Sequence, residues 1–442
     1  MNLKALQLQL KDHLKEILPP DLCYKAFLNS ENSAFVRLNH GKVRQPGSVH
    51  QAHATLDISQ GERHFKSHIS LSGEPEQDLP RLRDLLIPEV ENLSSLDPDP
   101  HMMEMPEPQT SEFLGTKTEI KPQEVLREIL DTSEGLDLVG IYASGRIARS
   151  YFDSAGSDMH HETDRSHFDF SVYAHHDKAV KCSVSGEHWD RTQLERAVRR
   201  AKQQLPYLHN EAKGIKPGRY RSYLAPSAVG SVLSLLSWSA FSEKSHQTGL
   251  SPLKSLRSGE RSLHESITVS ESPGSLQGPL FNETGFLSPE IVPLIENGKY
   301  QASLVSPRSG NEFGISHNGA SLSESPNYLS MEPGNISEDA VLKELGTGVF
   351  ISDLWYLNFS DPQICRMTGM TRFASFWVED GQIVAPLSVM RFDDSIFNMF
   401  GDQLQGLTSR SETFHEAHTY SSRNTSAMQI PGALIDGLTF TL

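Results

Sequence analysis

The side chains that could do chemistry in this chain are a few histidines, one distant cysteine and a run of serines. His161-Glu162 is followed by His167, and His415-Glu416-Ala417-His418 sets two imidazoles three residues apart. Imidazoles beside a carboxylate are what a divalent cation needs, as ligands and as a base for its bound water. The first stretch reads as a turn running into a strand, where such rings are solvated. The second lies in a polar segment without the apolar flank of a metal-binding helix. His246 and Cys365 are the candidate cleft residues, one a loop histidine and the other a thiol among strands, and His175-His176 reads as a surface pair. Ser234, Ser237 and Ser239 lie close in sequence to His246, but no G-x-S-x-G elbow accompanies them. Gly346-Thr347-Gly348 opens no helix, so no phosphate cradle is implied.

The elements that must position these groups follow from periodicity. Leu3, Leu6, Leu10, Leu14 and Ile17 predict an amphipathic helix over 1–18, stopped by Pro19-Pro20. Strand patterns cover 24–38, 48–58 and 63–71, and in the second Val49, His53, Thr55 and Asp57 share one parity while Ala52, Ala54, Leu56 and Ile58 share the other. Helices are expected over 76–93, 122–133 and 190–204, the last with Asp190 as N-cap, and the Pro-rich stretch 94–110 as an extended crossing segment. Strands dominate 136–184, with Phe168, Phe170 and Val172 on one face. A turn-rich break at 213–218 divides an N-terminal α+β domain, 1–214, from a β-rich domain, 215–442. The latter opens with an apolar helix, 227–241, and then carries short strands with helical patterns only at 337–344 and 395–400. The fold class is therefore α+β, its second half a mostly antiparallel sheet or barrel.

The bulk composition narrows the function. The 442 residues, 37% hydrophobic, can bury one large core or two to three smaller ones. Lys plus Arg is 40 against 56 Asp plus Glu, a net charge of -16, which offers no basic face for nucleic acid. Three cysteines, Cys23, Cys182 and Cys365, are odd in number and show no C-x-x-C, which suits a reducing compartment. No apolar run approaches the roughly 20 residues of a membrane span. Charges through the first helix argue against a signal peptide, so a cytoplasmic location is expected.

Four segments, in order, resemble the TldD/PmbA peptidase family: 137–156 (DLVGIYASGRIARSYFDSAG), 326–334 (PNYLSMEPG), 373–386 (FASFWVEDGQIVAP) and 428–439 (MQIPGALIDGLT). The resemblance covers roughly 135–442 and is looser before that. It implies two kinds of chain. TldD-type chains carry His-Glu-x-x-x-His on a helix plus a distal cysteine, which hold zinc; PmbA (TldE)-type chains lack these ligands. The two kinds are understood to form a protease acting on peptides.

In a register set by Gly230, the two histidine positions fall on Ser234 and Ser239 and the glutamate position on Leu235. No His, Asp, Glu or Cys occurs from Ala225 to Ser242, and the stretch 419–427 holds no thiol. A serine hydroxyl is a poor zinc ligand because its proton is held too tightly, and leucine cannot act as a base. The resemblance therefore implies a PmbA/TldE-like chain that is inactive alone and needs no cofactor. Zinc is expected in a TldD-type partner subunit, peptides are the expected substrates, and a homodimer is plausible in isolation. Alternatives are an independent hydrolase with a non-standard site and a gyrase-modulator-like regulatory protein.

Overall fold

The computed structural model describes residues 3–117, 121–175, 178–417, 419 and 421–441, so His176 and His418 lie outside the described residues. Helix α1 (Leu3–Ile17) buries Leu3, Leu6, Leu10 and Leu14, as their spacing requires. Strands β1 (Cys23–Asn39), β2 (Lys42–Gln60), β3 (Arg63–Leu71), β4 (Thr110–Leu114), β5 (Asp137–Asp153), β6 (Asp158–His175) and β7 (Lys178–Gly186) form one sheet. Its order is β3-β2-β1-β5-β6-β4, with β7 also on β6. All pairs are antiparallel except β4 with β6.

Period two divides this sheet into two unlike faces. On the outer face Tyr24, Ala26, Leu28, Leu56, Ile58 and Phe152 pack with α1 and α2 (Pro75–Asn92). Farther along it Tyr142, Phe168, Phe170 and Val172 pack with α3 (Pro122–Thr132) and α4 (Arg191–Leu208). Asp190 caps α4 by accepting from Thr192 N at 2.8 Å. The inner face is polar. Registry aligns Asn29, Arg149 and His161 in one cross-strand row, Ser33, Gly145 and Arg165 in another, and His167 opposite Ser185 in a third.

The second half forms a thirteen-stranded, largely antiparallel sheet. Its strands are β8 (Gly218–Leu224), β9 (Val269–Glu271), β10 (Val292–Glu296), β11 (Lys299–Tyr300), β12 (Tyr328–Met331), β13 (Gly348–Ile351), β14 (Asp353–Asp361), β15 (Arg366–Arg372), β16 (Phe376–Glu379), β17 (Gln382–Pro386), β18 (Arg391–Ser395), β19 (Leu404–His415) and β20 (Ala427–Phe440). β20 lies at its centre, pairing with β8, β12, β18 and β19. Among the described residues neither sheet closes into a barrel, so the sheet alternative holds. The β16–β17 hairpin turns on Asp380 and Gly381, both at positive φ, which a two-residue turn of this hand demands. None of the described helices is long and apolar enough to cross a membrane.

Two local expectations are corrected. β2 begins at Lys42 rather than 48, because it continues its pairing with β1 past Pro46. The apolar helix expected over 227–241 is α5 (Pro226–Leu236), followed by turns through Phe241 and a short helix α6 (Glu243–Gln247). Ser231 and Ser237 hydroxyls bond back to the carbonyls four residues earlier, and Ser242 caps α6, so serine chemistry ends one helix and starts the next.

Candidate functional site

Strands β6 and β7, helix α4 and the second half of the chain line a partly open cavity of about 700 Å³. Helix α5 supplies one wall. Ser227, Ser231 and Ser234, spaced i, i+4, i+7, line the cavity, and Val229, Val232, Leu233, Leu235 and Leu236 are buried. The helix is held in place by its packing on β14 and β20. Trp238, in the turn after α5 and 66% exposed, stands at the cavity's edge.

The facing walls carry charge. Lys181 of β7 pairs with Asp353 of β14 at 3.0 Å, and Arg200 of α4 pairs with Glu412 of β19 at 3.1 Å. Burial works against the Lys181 charge, but Asp353 and Asp169 outweigh it and hold its pKa above the ordinary lysine range. Ser352 also lines the cavity, and its buried Oγ has no hydrogen-bond partner among the described residues.

Beneath the cavity the two halves of the chain are stitched by polar side chains. Arg165 contacts Glu187 Oε1 at 3.1 Å and the His415 ring at 3.0 Å, and donates to Leu276 O and Gln277 O. Arg423 donates to Ser33 Oγ and to Arg165 O. Burial is the main cause that lowers the pKa of His161, His167 and His415 to about 3, assisted by Arg165 for His161 and His415 and by Arg423 for His167. These rings are neutral at neutral pH.

The histidines predicted to be solvated are thus in the interior. His161 and His167 lie within β6, only 2% and 1% exposed, and His161 stacks on Phe113. The sequence misleads here because polar residues recur at both parities from Asp158 to Ser166, which looks like a turn. His415 ends β19 rather than sitting on a helix. His175 is exposed at the end of β6.

His246 and Cys365 have no hydrogen bond to each other. His246 lies in α6, with Nε2 3.1 Å from Ala240 O and 3.2 Å from Ser251 Oγ. A carbonyl only accepts, so Nε2 carries the proton and cannot take one from Ser251. Burial, then Arg257, lowers its pKa to about 4. Cys365 is wholly buried at a left-handed position (φ 48°), and burial pushes its thiol above the ordinary range. Neither residue lines the cavity.

Ser234 lines the cavity and contacts Met428 Sδ at 3.8 Å, Leu235 is buried, and Ser239 falls in the turn after α5. This donor set does not fit zinc: it offers no imidazole, thiolate or carboxylate, and no step through a metal follows from it. Among the described residues no group of three or more His, Cys, Asp or Glu side chains converges as a metal site would require. Sequence reasoning missed Lys181, Asp353, Arg200 and Glu412; the one available signal was a charge set among apolar strand residues, as in Val180-Lys181-Cys182.

Fold and site together define a mixed α+β protein with a partly open cavity lined by residues of both large sheets. A family profile described as the PmbA/TldA metallopeptidase C-terminal domain matches residues 217–442, just over half of the chain. The chain belongs to the PmbA/TldD family. No curated protein sequence matches it. In fold it is similar to TldE from Thermococcus kodakarensis, at 14% identity and TM-score 0.80, over 99% of this chain and 100% of that one. It is also similar to a Thermotoga maritima protein named as a proposed modulator of a DNA gyrase, at 14% identity and TM-score 0.77, over 99% and 100% of the two chains. A Bacteroides thetaiotaomicron protein named in the same way matches at 15% identity and TM-score 0.73, over 100% and 98%.

Proposed function

We propose that this chain is a TldE-like subunit that binds peptides in the 700 Å³ cavity without cleaving them. It pairs with a zinc-bearing TldD-type chain, which supplies the metal and the hydrolytic chemistry. The observation that carries this reading is the cavity wall made by α5: Ser227, Ser231 and Ser234 stand there, and no imidazole, carboxylate or thiol occurs from 225 to 242 to ligate a metal or take a proton. A peptide needs paired donors and acceptors along its backbone and charge for its ends. Ser352 Oγ, the α5 hydroxyls and the Lys181–Asp353 pair offer these. The break at 213–218, between the last strand of one sheet and the first of the other, serves in this reading as the boundary of domains 1–214 and 215–442.

Capture of the full chain from its native cell, followed by metal analysis of the complex, tests the proposal. A zinc-bearing family member should co-purify, and peptide cleavage should require both chains. Recovery of the chain alone, or cleavage by it alone, contradicts the pairing. The independent-hydrolase reading loses its best nucleophile–base pair with the protonated Nε2 of His246. A gyrase-directed role has no support from a net charge of -16.

A further inference from the structure

A smaller chamber of about 200 Å³ adjoins the main cavity, and the two share Ser325, Asn327, Asn424 and Ser426 in their walls. Those four residues are the wall that the two spaces have in common. Phe27, Phe281 and Tyr328 supply apolar surface there, and Arg149 supplies a cation.

Arg149 is placed by β5, in the cross-strand row with Asn29 and His161. Among the described residues its guanidinium donates only to backbone carbonyls, Ala148 O at 2.9 Å and Arg423 O at 3.1 Å. Five N–H donors are available on a guanidinium, so capacity remains for a guest. Among the described residues no carboxylate hydrogen-bonds to it, although two carboxyls line the chamber. Glu271 is turned to the N–H groups of Asn327 and Tyr328, and Glu283 accepts from Leu322 N. Burial raises the Glu271 pKa to about 7, so a substantial fraction is neutral and does not repel an anion.

We infer that the chamber receives the free C-terminal carboxylate of a peptide, held by Arg149, with the last side chain against Phe27, Phe281 and Tyr328. The fork of a guanidinium matches a carboxylate in shape and charge. The chamber has less than a third of the main cavity's volume, which suits one terminal residue rather than a chain passing through. This inference rests on the main cavity being a peptide site.

The test is fluorescence anisotropy on the purified full chain with N-terminally fluorescein-labelled Ala-Ala-Ala-Leu, as free acid and as C-terminal amide. The acid should bind about ten- to a hundred-fold more tightly, the range for a charged hydrogen bond. Arg149→Gln should erase the preference and Arg149→Lys should keep part of it. Trp238→Ala, at the main cavity's edge, should weaken acid and amide alike. Equal binding of acid and amide to the unmodified chain overturns the inference and leaves the peptide reading standing. Preference for the acid that persists in a folded Arg149→Gln chain overturns the role of Arg149. Binding of neither probe removes the peptide reading and the inference with it.

Discussion

Helix α5 and strand β6 border the same interior space with side chains of opposite character. α5 presents small hydroxyls, Ser227, Ser231 and Ser234, backed by a buried aliphatic face. β6 presents Asp169 to the cavity, and Arg165, His161 and His167 lie buried along the same parity. The helix holds nothing that titrates. The strand holds groups whose charge is governed by burial and by the arginines around them. The helix carries no side chain that could hold a metal, while the sheet keeps a polar interior that joins two halves of the chain.

That contrast is sharpest in acid. His161 and His167 sit near pKa 3 in the fold against an ordinary 6.5, through burial first and neighbouring arginines second. The folded rings are neutral and the unfolded rings protonate, so protons favour unfolding. Stability is intact above pH 6.5 and falls as pH drops from 6.5 towards 3, by ~1.4 kcal/mol per pH unit for each ring. By pH 4.5 the two together remove about 5 kcal/mol. Denaturant unfolding across this range should show a flatter slope for the double variant His161→Asn, His167→Asn than for the parent. Equal slopes would refute the burial argument.

Phe168→Ala probes the outer face of the same strand. Phe168 is fully buried and stacks on Phe170 with ring centroids 4.4 Å apart. Its loss should cost about 3–5 kcal/mol, read as a lower urea midpoint. Arg423→Met, in the inner polar seam, removes the donor to Arg165 O and one of two partners of Ser33 Oγ, which keeps its bond to Glu31, and should cost about 2 kcal/mol. Ser234→Ala should change stability by less than about 0.5 kcal/mol, since among the described residues its hydroxyl meets only the Met428 sulfur. A large effect at Ser234 would mean that the helix wall carries structural polarity after all.

Legibility in the sequence followed the same division. Leu3 to Leu14, the alternation of Ala52 to Ile58 and the run Phe168, Phe170, Val172 predicted the outer face, because apolar burial leaves a strict period. Asp190 announced α4 by its capping chemistry. Helix α5 was legible as an apolar run without His, Asp, Glu or Cys between Ala225 and Ser242, though its end was misplaced where Ser237 and Ser242 redirect the backbone. The inner face was not legible. Its polar residues meet partners hundreds of positions away, such as Arg165 with His415 and Arg149 with Arg423, and no local pattern records such pairings. His246 and Cys365 stood out by type alone, and the fold gives each its own surroundings.

The central claim is that the α5 wall cannot hold or use a catalytic metal. Elemental analysis of the purified chain after incubation with zinc, with peptide cleavage assayed before and after chelation, tests it most directly. No stoichiometric zinc should be retained, and no chelator-sensitive cleavage should occur. One zinc per chain, with cleavage abolished by the chelator, would contradict it.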